Sequence, residues 1–126
     1  MNQEAADLWE RAGRALKTAE DWSEEDPDAS VSRSYYAAFY AVSALFVVGG
    51  RTFAKHAAVE AAVHRDLVKS GRWDPSLGRA YSELVILRQT GDYGGGTHVS
   101  VEEAREAVAK ARRILEAVHL TVDSAT

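Results

Sequence analysis

The chain has 126 residues, 46% of them hydrophobic, and a formal net charge of −4. This length and composition predict one domain over residues 1–126 and exclude an intrinsically disordered chain. The absence of cysteine excludes a disulfide scaffold and a thiolate metal site, and the net acidity argues against general electrostatic attraction to nucleic acid.

The N-terminal stretch "MNQEAADLWE" is acidic and lacks an apolar core, so we expect no secretory signal. The longest apolar stretch runs from Tyr35 to Val48, whereas a membrane span needs about 20 residues. It therefore predicts a buried core helix. We expect a cytoplasmic protein that does not span a membrane.

The first predicted helix covers Ala5 to Trp22, where apolar residues recur at helical spacing. The segment "SEEDPD" breaks this pattern. Asp26 is then placed to cap a second helix with Pro27 at its first position, and this helix runs to about Val48, before two glycines.

The third predicted helix is "HAAVEAAVHRDLVK", residues 56–69, and Asp74-Pro75 repeats the cap-plus-proline start for the fourth. The segment "GDYGGGTH", residues 91–98, is predicted to be a loop. Ser100 and Glu103 form a capping box that opens the fifth helix. No strand is predicted, so the fold class is all-α: an up-and-down bundle of about five helices.

The second helix is apolar on all sides, which predicts that it lies at the centre of the bundle. It nevertheless carries Arg33 and Tyr36 on one face. Because the start of a helix favours acids, Arg33 there calls for a carboxylate partner or an anionic ligand. We favour a clamp between Arg33 and Asp92, with a ligand contact as the alternative.

Four separated segments closely resemble a subfamily of small prokaryotic HEPN-domain proteins: "SRSYYAAFYAVSALF", "GGRTFAKH", "LVILRQTGDY" and "SVEEAREAVAKARRILEAV". The shared pattern is an R-x-YYA helix, a basic loop ending in histidine, and R-x-x-x-D-Y after the fourth helix. The resemblance implies an all-α fold that is usually dimeric. Many such proteins are encoded beside minimal nucleotidyltransferases as toxin–antitoxin pairs. Many HEPN proteins are metal-independent ribonucleases, and others bind nucleotide or RNA.

Nuclease activity in that superfamily depends on an arginine followed four to six residues later by histidine. Arg88 matches the arginine, but the next histidine is His98, beyond three glycines. Arg51 and His56 have the required spacing but lie in the loop after the second helix. The candidate catalytic residues are therefore Arg88, His56 and His98, with no intact motif at Arg88.

The polar residues of the matching segments predict a ligand-binding cluster in which Arg88 and Asp92 are spaced to pair. Its members are Arg33, Tyr36, Arg51, His56, Arg88, Asp92 and Tyr93. His56, Glu60 and His64 share a helical spacing, but the two histidines are about 12 Å apart along the helix axis, too far to share one ion. We expect no metal and no cofactor.

The leading hypothesis is a HEPN binding or regulatory module within a toxin–antitoxin or nucleotidyltransferase-associated system, with nucleotide or RNA as ligand. A homodimer is expected, with a minimal nucleotidyltransferase as a further partner. Two alternatives remain open: a metal-independent ribonuclease toxin, and a dimeric structural protein without a ligand.

Overall fold

The computed structural model describes residues 1–96 and 98–125 and contains, within them, five α-helices and no strand. The helices are α1 (Gln3–Trp22), α2 (Pro27–Val48), α3 (His56–Ala62), α4 (Pro75–Tyr93) and α5 (Val101–Ala125). A π-helical segment, Val63–Val68, continues α3. The predicted all-α bundle is confirmed.

Helix α2 is the centre of the bundle and contacts each of the other four helices. Its Val31, Ala38 and Val42 are fully buried against core residues such as Leu84 and Ile114. By length and composition α2 is also apolar enough to cross a membrane, but 61% of its most apolar window is buried inside the bundle. In this fold it is the core helix that the sequence predicts.

Side-chain caps fix the starts of three helices as predicted. Asp26 accepts a hydrogen bond from the Ala29 amide at 3.1 Å, and Asp74 accepts one from the Ser76 amide at 2.8 Å. Before α5, the Ser100 hydroxyl and the Glu103 carboxylate each accept the other residue's amide proton at 3.0 Å, the two bonds of a capping box. These caps satisfy amide groups that the helix itself leaves unpaired.

The third element differs from the prediction of one regular helix over residues 56–69. It is α-helical only to Ala62 and then widens into the π segment. Gly78 of α4 lies against this segment so closely that a Cβ there would be 2.8 Å from a Val68 methyl and 3.1 Å from the His64 ring. The π segment thus lies where the third element packs against α4. A contact between separate helices cannot be predicted from a local sequence pattern.

The predicted loop over residues 91–98 is also wrong in its first part, because α4 continues through Tyr93. Gly91 packs against the first turn of α2, where a Cβ would lie 2.9 Å from the backbone oxygen of Asp28. The glycine is therefore a close-packing position inside a helix. Thr97, which belongs to the same predicted loop, lies outside the described residues.

We expect Gly91→Ala to destabilise the protein by about 1–3 kcal/mol, since the added methyl group meets fixed backbone. The matched control is Gly13→Ala, at an exposed helical position with no atom within 4 Å, which should stabilise by about 0.5–1 kcal/mol. Thermal or urea unfolding measures both. Equal effects of the two substitutions would contradict the close contact between α4 and α2.

Candidate functional site

The site is built around His56, the first residue of α3, and its contact with a buried tyrosine of α2. The His56 Nδ1 atom lies 2.7 Å from the hydroxyl oxygen of Tyr35, whose side chain is 2% exposed. The imidazole also stacks on Phe39, with ring centres 4.2 Å apart and planes 10° from parallel. Two residues of the central helix thus fix the orientation of a surface histidine.

Arg88 of α4 approaches the same aromatic surface. Its guanidinium carbon lies 5.2 Å from the ring centres of both Tyr35 and Tyr36, and its Nη2 donates a hydrogen bond to the Tyr36 hydroxyl at 3.2 Å. Its Nε is 3.2 Å from an Asp92 carboxylate oxygen, one helical turn further on. The predicted pairing of Arg88 with Asp92 is confirmed.

Burial and the nearby Arg88 charge lower the pKa of His56 below its ordinary value, with burial the larger cause. Since the ordinary pKa is about 6.5, His56 is predominantly neutral at pH 7. Burial raises the pKa of Tyr35, so its hydroxyl keeps its proton. The site therefore presents the Arg88 guanidinium, which is ion-paired with Asp92 through Nε, beside a neutral imidazole.

The contact with Tyr35 determines which His56 nitrogen carries hydrogen. A phenol hydroxyl is a stronger hydrogen-bond donor than the N–H of a neutral imidazole, and the unprotonated imidazole nitrogen is a stronger acceptor than the phenol oxygen. At 2.7 Å, Tyr35 therefore donates its proton to His56 Nδ1. The hydrogen of the neutral ring consequently resides on Nε2, which has no protein partner among the described residues and is left to donate to a ligand.

The predicted clamp between Arg33 and Asp92 is wrong. The Arg33 guanidinium carbon lies 4.7 Å from the centre of the Tyr36 ring, and no carboxylate pairs with Arg33 in the described part of the chain. Asp92 is paired with Arg88, which lies one turn away on the same helix and needs no tertiary approach to reach it. Arg33 thus keeps an uncompensated charge beside the site.

Arg51 and Tyr93 are not brought into this cluster. Arg51 forms an ion pair with Asp66 at 2.6 Å and lies beside the Phe46 and Phe53 rings, so a carboxylate already neutralises it. Arg65 shares the same carboxylate. The Tyr93 side chain is 74% exposed at the end of α4. The four predicted residues that the structure does connect are Tyr36, His56, Arg88 and Asp92, with Arg33 next to them.

The third catalytic candidate, His98, has a structural partner instead. Its Nδ1 lies 2.9 Å from one carboxylate oxygen of Asp28, whose other oxygen accepts the Val99 amide proton at 2.8 Å. The Val99 hydrogen bond and then His98 hold the pKa of Asp28 below its usual value. Asp28 thereby fastens the segment before α5 to the start of α2.

The sequence interpretation missed Tyr35 and Phe39, which position His56. The predicted cluster contains Arg33 and Tyr36 of this helix but neither of these two aromatic residues. The signal available was chemical: a tyrosine at a fully buried position requires a hydrogen-bond partner that phenylalanine would not.

Protein contacts also account for the two histidines of α3 and the π segment, His56 and His64. The Ser82 hydroxyl donates to Glu60 at 2.7 Å and lies 2.8 Å from His64 Nε2, while His56 is held by Tyr35. Among the described residues there is no group of three or more His, Cys, Asp or Glu side chains that could hold a metal ion.

We expect ¹⁵N NMR spectra of the imidazoles to show His56 neutral at pH 7, with its hydrogen on Nε2. Tyr35→Phe should abolish this preference, because Nδ1 loses its donor. Tyr36→Phe is the matched control, since its hydroxyl bonds to Arg88 rather than His56. A hydrogen on Nδ1 in the parent protein, or equal effects of both substitutions, would contradict the assignment.

Comparison with known proteins agrees with this architecture. Residues 5–121 match the family described as HEPN domain. A "UPF0332 protein" of Thermotoga maritima is 38% identical over 94 residues, covering 75% of this chain and 71% of the relative. A second UPF0332 protein, from Gloeobacter violaceus, is 32% identical and covers 92% and 94%. A Methanocaldococcus jannaschii protein named "Putative toxin" is 32% identical, covering 81% and 70%. The chain belongs to the HEPN domain family.

Proposed function

We propose that this HEPN domain is a binding module for the phosphate groups of nucleotides or RNA. The observation that carries the proposal is the convergence of Arg88 and His56 on the Tyr35 and Tyr36 rings. A guanidinium and an imidazole N–H supply donors for phosphate oxygens. The two residues come from different helices. They can therefore meet in space although the sequence lacks the spacing of four to six residues between arginine and histidine that HEPN nucleases use.

The surroundings of the two donors suit a nucleotide better than a bare anion. The half-buried Tyr36 and Phe39 rings lie edge to face at 6.2 Å, next to Arg88 and His56 respectively. Aromatic rings beside a cationic group are the usual surface on which proteins stack nucleic acid bases. Arg33 over Tyr36 adds a second positive charge within reach of the same ligand.

The protonation of His56 favours binding over cleavage. RNA cleavage by the 2′-hydroxyl requires a base to accept a proton or an acid to protonate the leaving oxygen. A neutral ring that accepts at Nδ1 from Tyr35 has hydrogen on Nε2, so that nitrogen is not available as a base. Burial, and after it the Arg88 charge, lowers the pKa of His56 and so also disfavours the protonated acid form.

A metal-independent ribonuclease is the second candidate function, and a specific observation favours it. His56 and Arg88 both lie beside the Tyr35 ring, which brings together the two residue types that HEPN nucleases use. A relative is named "Putative toxin". In this case the proton of Tyr35 would have to turn toward Tyr81, so that His56 carries hydrogen on Nδ1 and accepts a proton at Nε2.

The proposed context is a toxin–antitoxin or nucleotidyltransferase-associated system in the cytoplasm. Family membership and the toxin-named relative support it. The proposed protein partners are a second copy of this chain and a minimal nucleotidyltransferase encoded in the neighbouring reading frame.

Fluorescence anisotropy with labelled single-stranded RNA tests binding, and gel electrophoresis of the same RNA tests cleavage. We expect intact RNA, binding that EDTA does not change, and at least about a tenfold weaker affinity for Arg88→Gln. The control is Arg79→Gln, an exposed arginine of α4 that makes no contact with the site. Equal RNA affinities of the Arg88→Gln and Arg79→Gln variants would contradict the proposal that Arg88 binds the RNA. EDTA-resistant cleavage that His56→Ala abolishes would establish the ribonuclease instead.

We also expect a homodimer, because α4 exposes Ile86 and Tyr93, which lie two turns apart on one face and are 61% and 74% exposed. Light scattering at micromolar concentration should give the mass of two chains, and Ile86→Glu should reduce it to one. A parent protein that is monomeric throughout this range would contradict the expectation.

A further inference from the structure

A second feature next to the site is a long groove between the antiparallel helices α1 and α2. Two adjoining cavities of about 340 and 270 Å³ form it, and both are lined by Arg11 and Tyr40. We call this the α1–α2 groove. Its principal lining residues are Arg11, Arg14, Arg33, Phe39, Tyr40 and Phe53.

The groove is basic although the chain is acidic. Four arginines line it against one carboxylate, that of Glu4. Arg14 pairs with Glu10 at 3.2 Å outside the lining, and Arg51 pairs with Asp66.

Two of these arginines have no carboxylate partner anywhere in the described part of the chain: Arg11, which is exposed, and Arg33, which is half-buried. Glu4 and Asp7 line a neighbouring cavity together with Arg11 but form no ion pair with it, and no carboxylate of the described residues lines the cavity that contains Arg33. Unpaired guanidiniums lining a cleft are suited to phosphate.

The groove is continuous with the Arg88–His56 site through shared side chains. Phe39 lines the groove and stacks on His56. Arg33 lines the groove and lies over Tyr36, which accepts the hydrogen bond from Arg88. Arg33 and Phe39 therefore belong both to the lining of the groove and to the surroundings of the site.

The length of the groove exceeds that of a single nucleotide. Its lining on α1 runs from Glu4 to Thr18, which at 1.5 Å per residue is about 21 Å. Stacked nucleotides are spaced by about 3.4 Å along a strand, so about six fit along this length. The half-buried Phe39, Tyr40 and Phe53 rings supply stacking surfaces, which a base-paired duplex, with its base faces covered, cannot use.

We infer that the α1–α2 groove is the track for a single-stranded RNA that extends from the Arg88–His56 site. The inference rests on the proposed function, because the site is where the strand is anchored. Arg11 and Arg33 contact the phosphates along the track, and the three aromatic rings contact the bases.

Binding of a uridine octamer and of uridine monophosphate to the same variants tests this inference. We expect the octamer to bind the parent protein at least about tenfold more tightly than the mononucleotide. Arg11→Gln should weaken the octamer and leave the affinity for the mononucleotide unchanged, because Arg11 lies in the groove and outside the site. The double variant Arg11→Gln/Arg33→Gln should lose most of the octamer's advantage, and it should also bind the mononucleotide more weakly because Arg33 lies over Tyr36. The slope of log K against log salt for the octamer should become shallower by about 1.4, since two phosphate contacts are lost.

The control is Arg79→Gln, which should leave both affinities unchanged. Arg11→Glu is a second test at an exposed side chain without an ion pair, and thermal unfolding checks that the variant is folded; it should weaken the octamer alone.

The outcomes separate the inference from the proposed function. If octamer binding depends on Arg88 but not on Arg11 or Arg33, the groove does not bind the RNA, and the result still supports the proposed site. If octamer binding depends on Arg11 and Arg33 but not on Arg88, the result supports the groove as the RNA track and contradicts the proposed site. No octamer binding by the parent protein would overturn both.

Discussion

The hydrogen bond between Tyr35 and His56 is the interaction on which the site depends. Tyr35 is buried on the central helix, and its hydroxyl is held 2.7 Å from an imidazole nitrogen that would otherwise rotate freely at the surface. Stacking of His56 on Phe39 fixes the ring plane, while the hydrogen bond fixes which edge faces inward. The core thereby determines both the orientation and the protonation of a surface residue.

The position of Arg88 depends on a different contact, between the end of α4 and the start of α2. Gly91 lies against the backbone of Asp28, and the same aspartate holds Val99 and His98 before α5. The first turn of α2 therefore anchors two other helices. Because Arg88 precedes Gly91 by less than one helical turn, this contact also sets the distance of its guanidinium from the tyrosine rings.

The sequence predicts the helix starts and the central place of α2 because those depend on local signals: caps, prolines and an apolar surface on all sides. It also predicts Arg88 and Asp92 as a pair, since their spacing is local. The other features of the site depend on how the helices pack against one another. The absence of a clamp between Arg33 and Asp92, the π segment after α3, and the contact of His56 with Tyr35 all depend on how separate helices meet, which no spacing along the chain reveals.

The most direct test of the account is an NMR titration of the ¹⁵N-labelled protein with a short single-stranded RNA, following the side-chain nitrogens of His56 and Arg88. We expect the His56 Nε2 and the Arg88 guanidinium resonances to shift together and saturate at one RNA concentration, while the resonances of His98, which is held by Asp28, do not shift. Saturable binding that leaves the His56 and Arg88 resonances unchanged would contradict it.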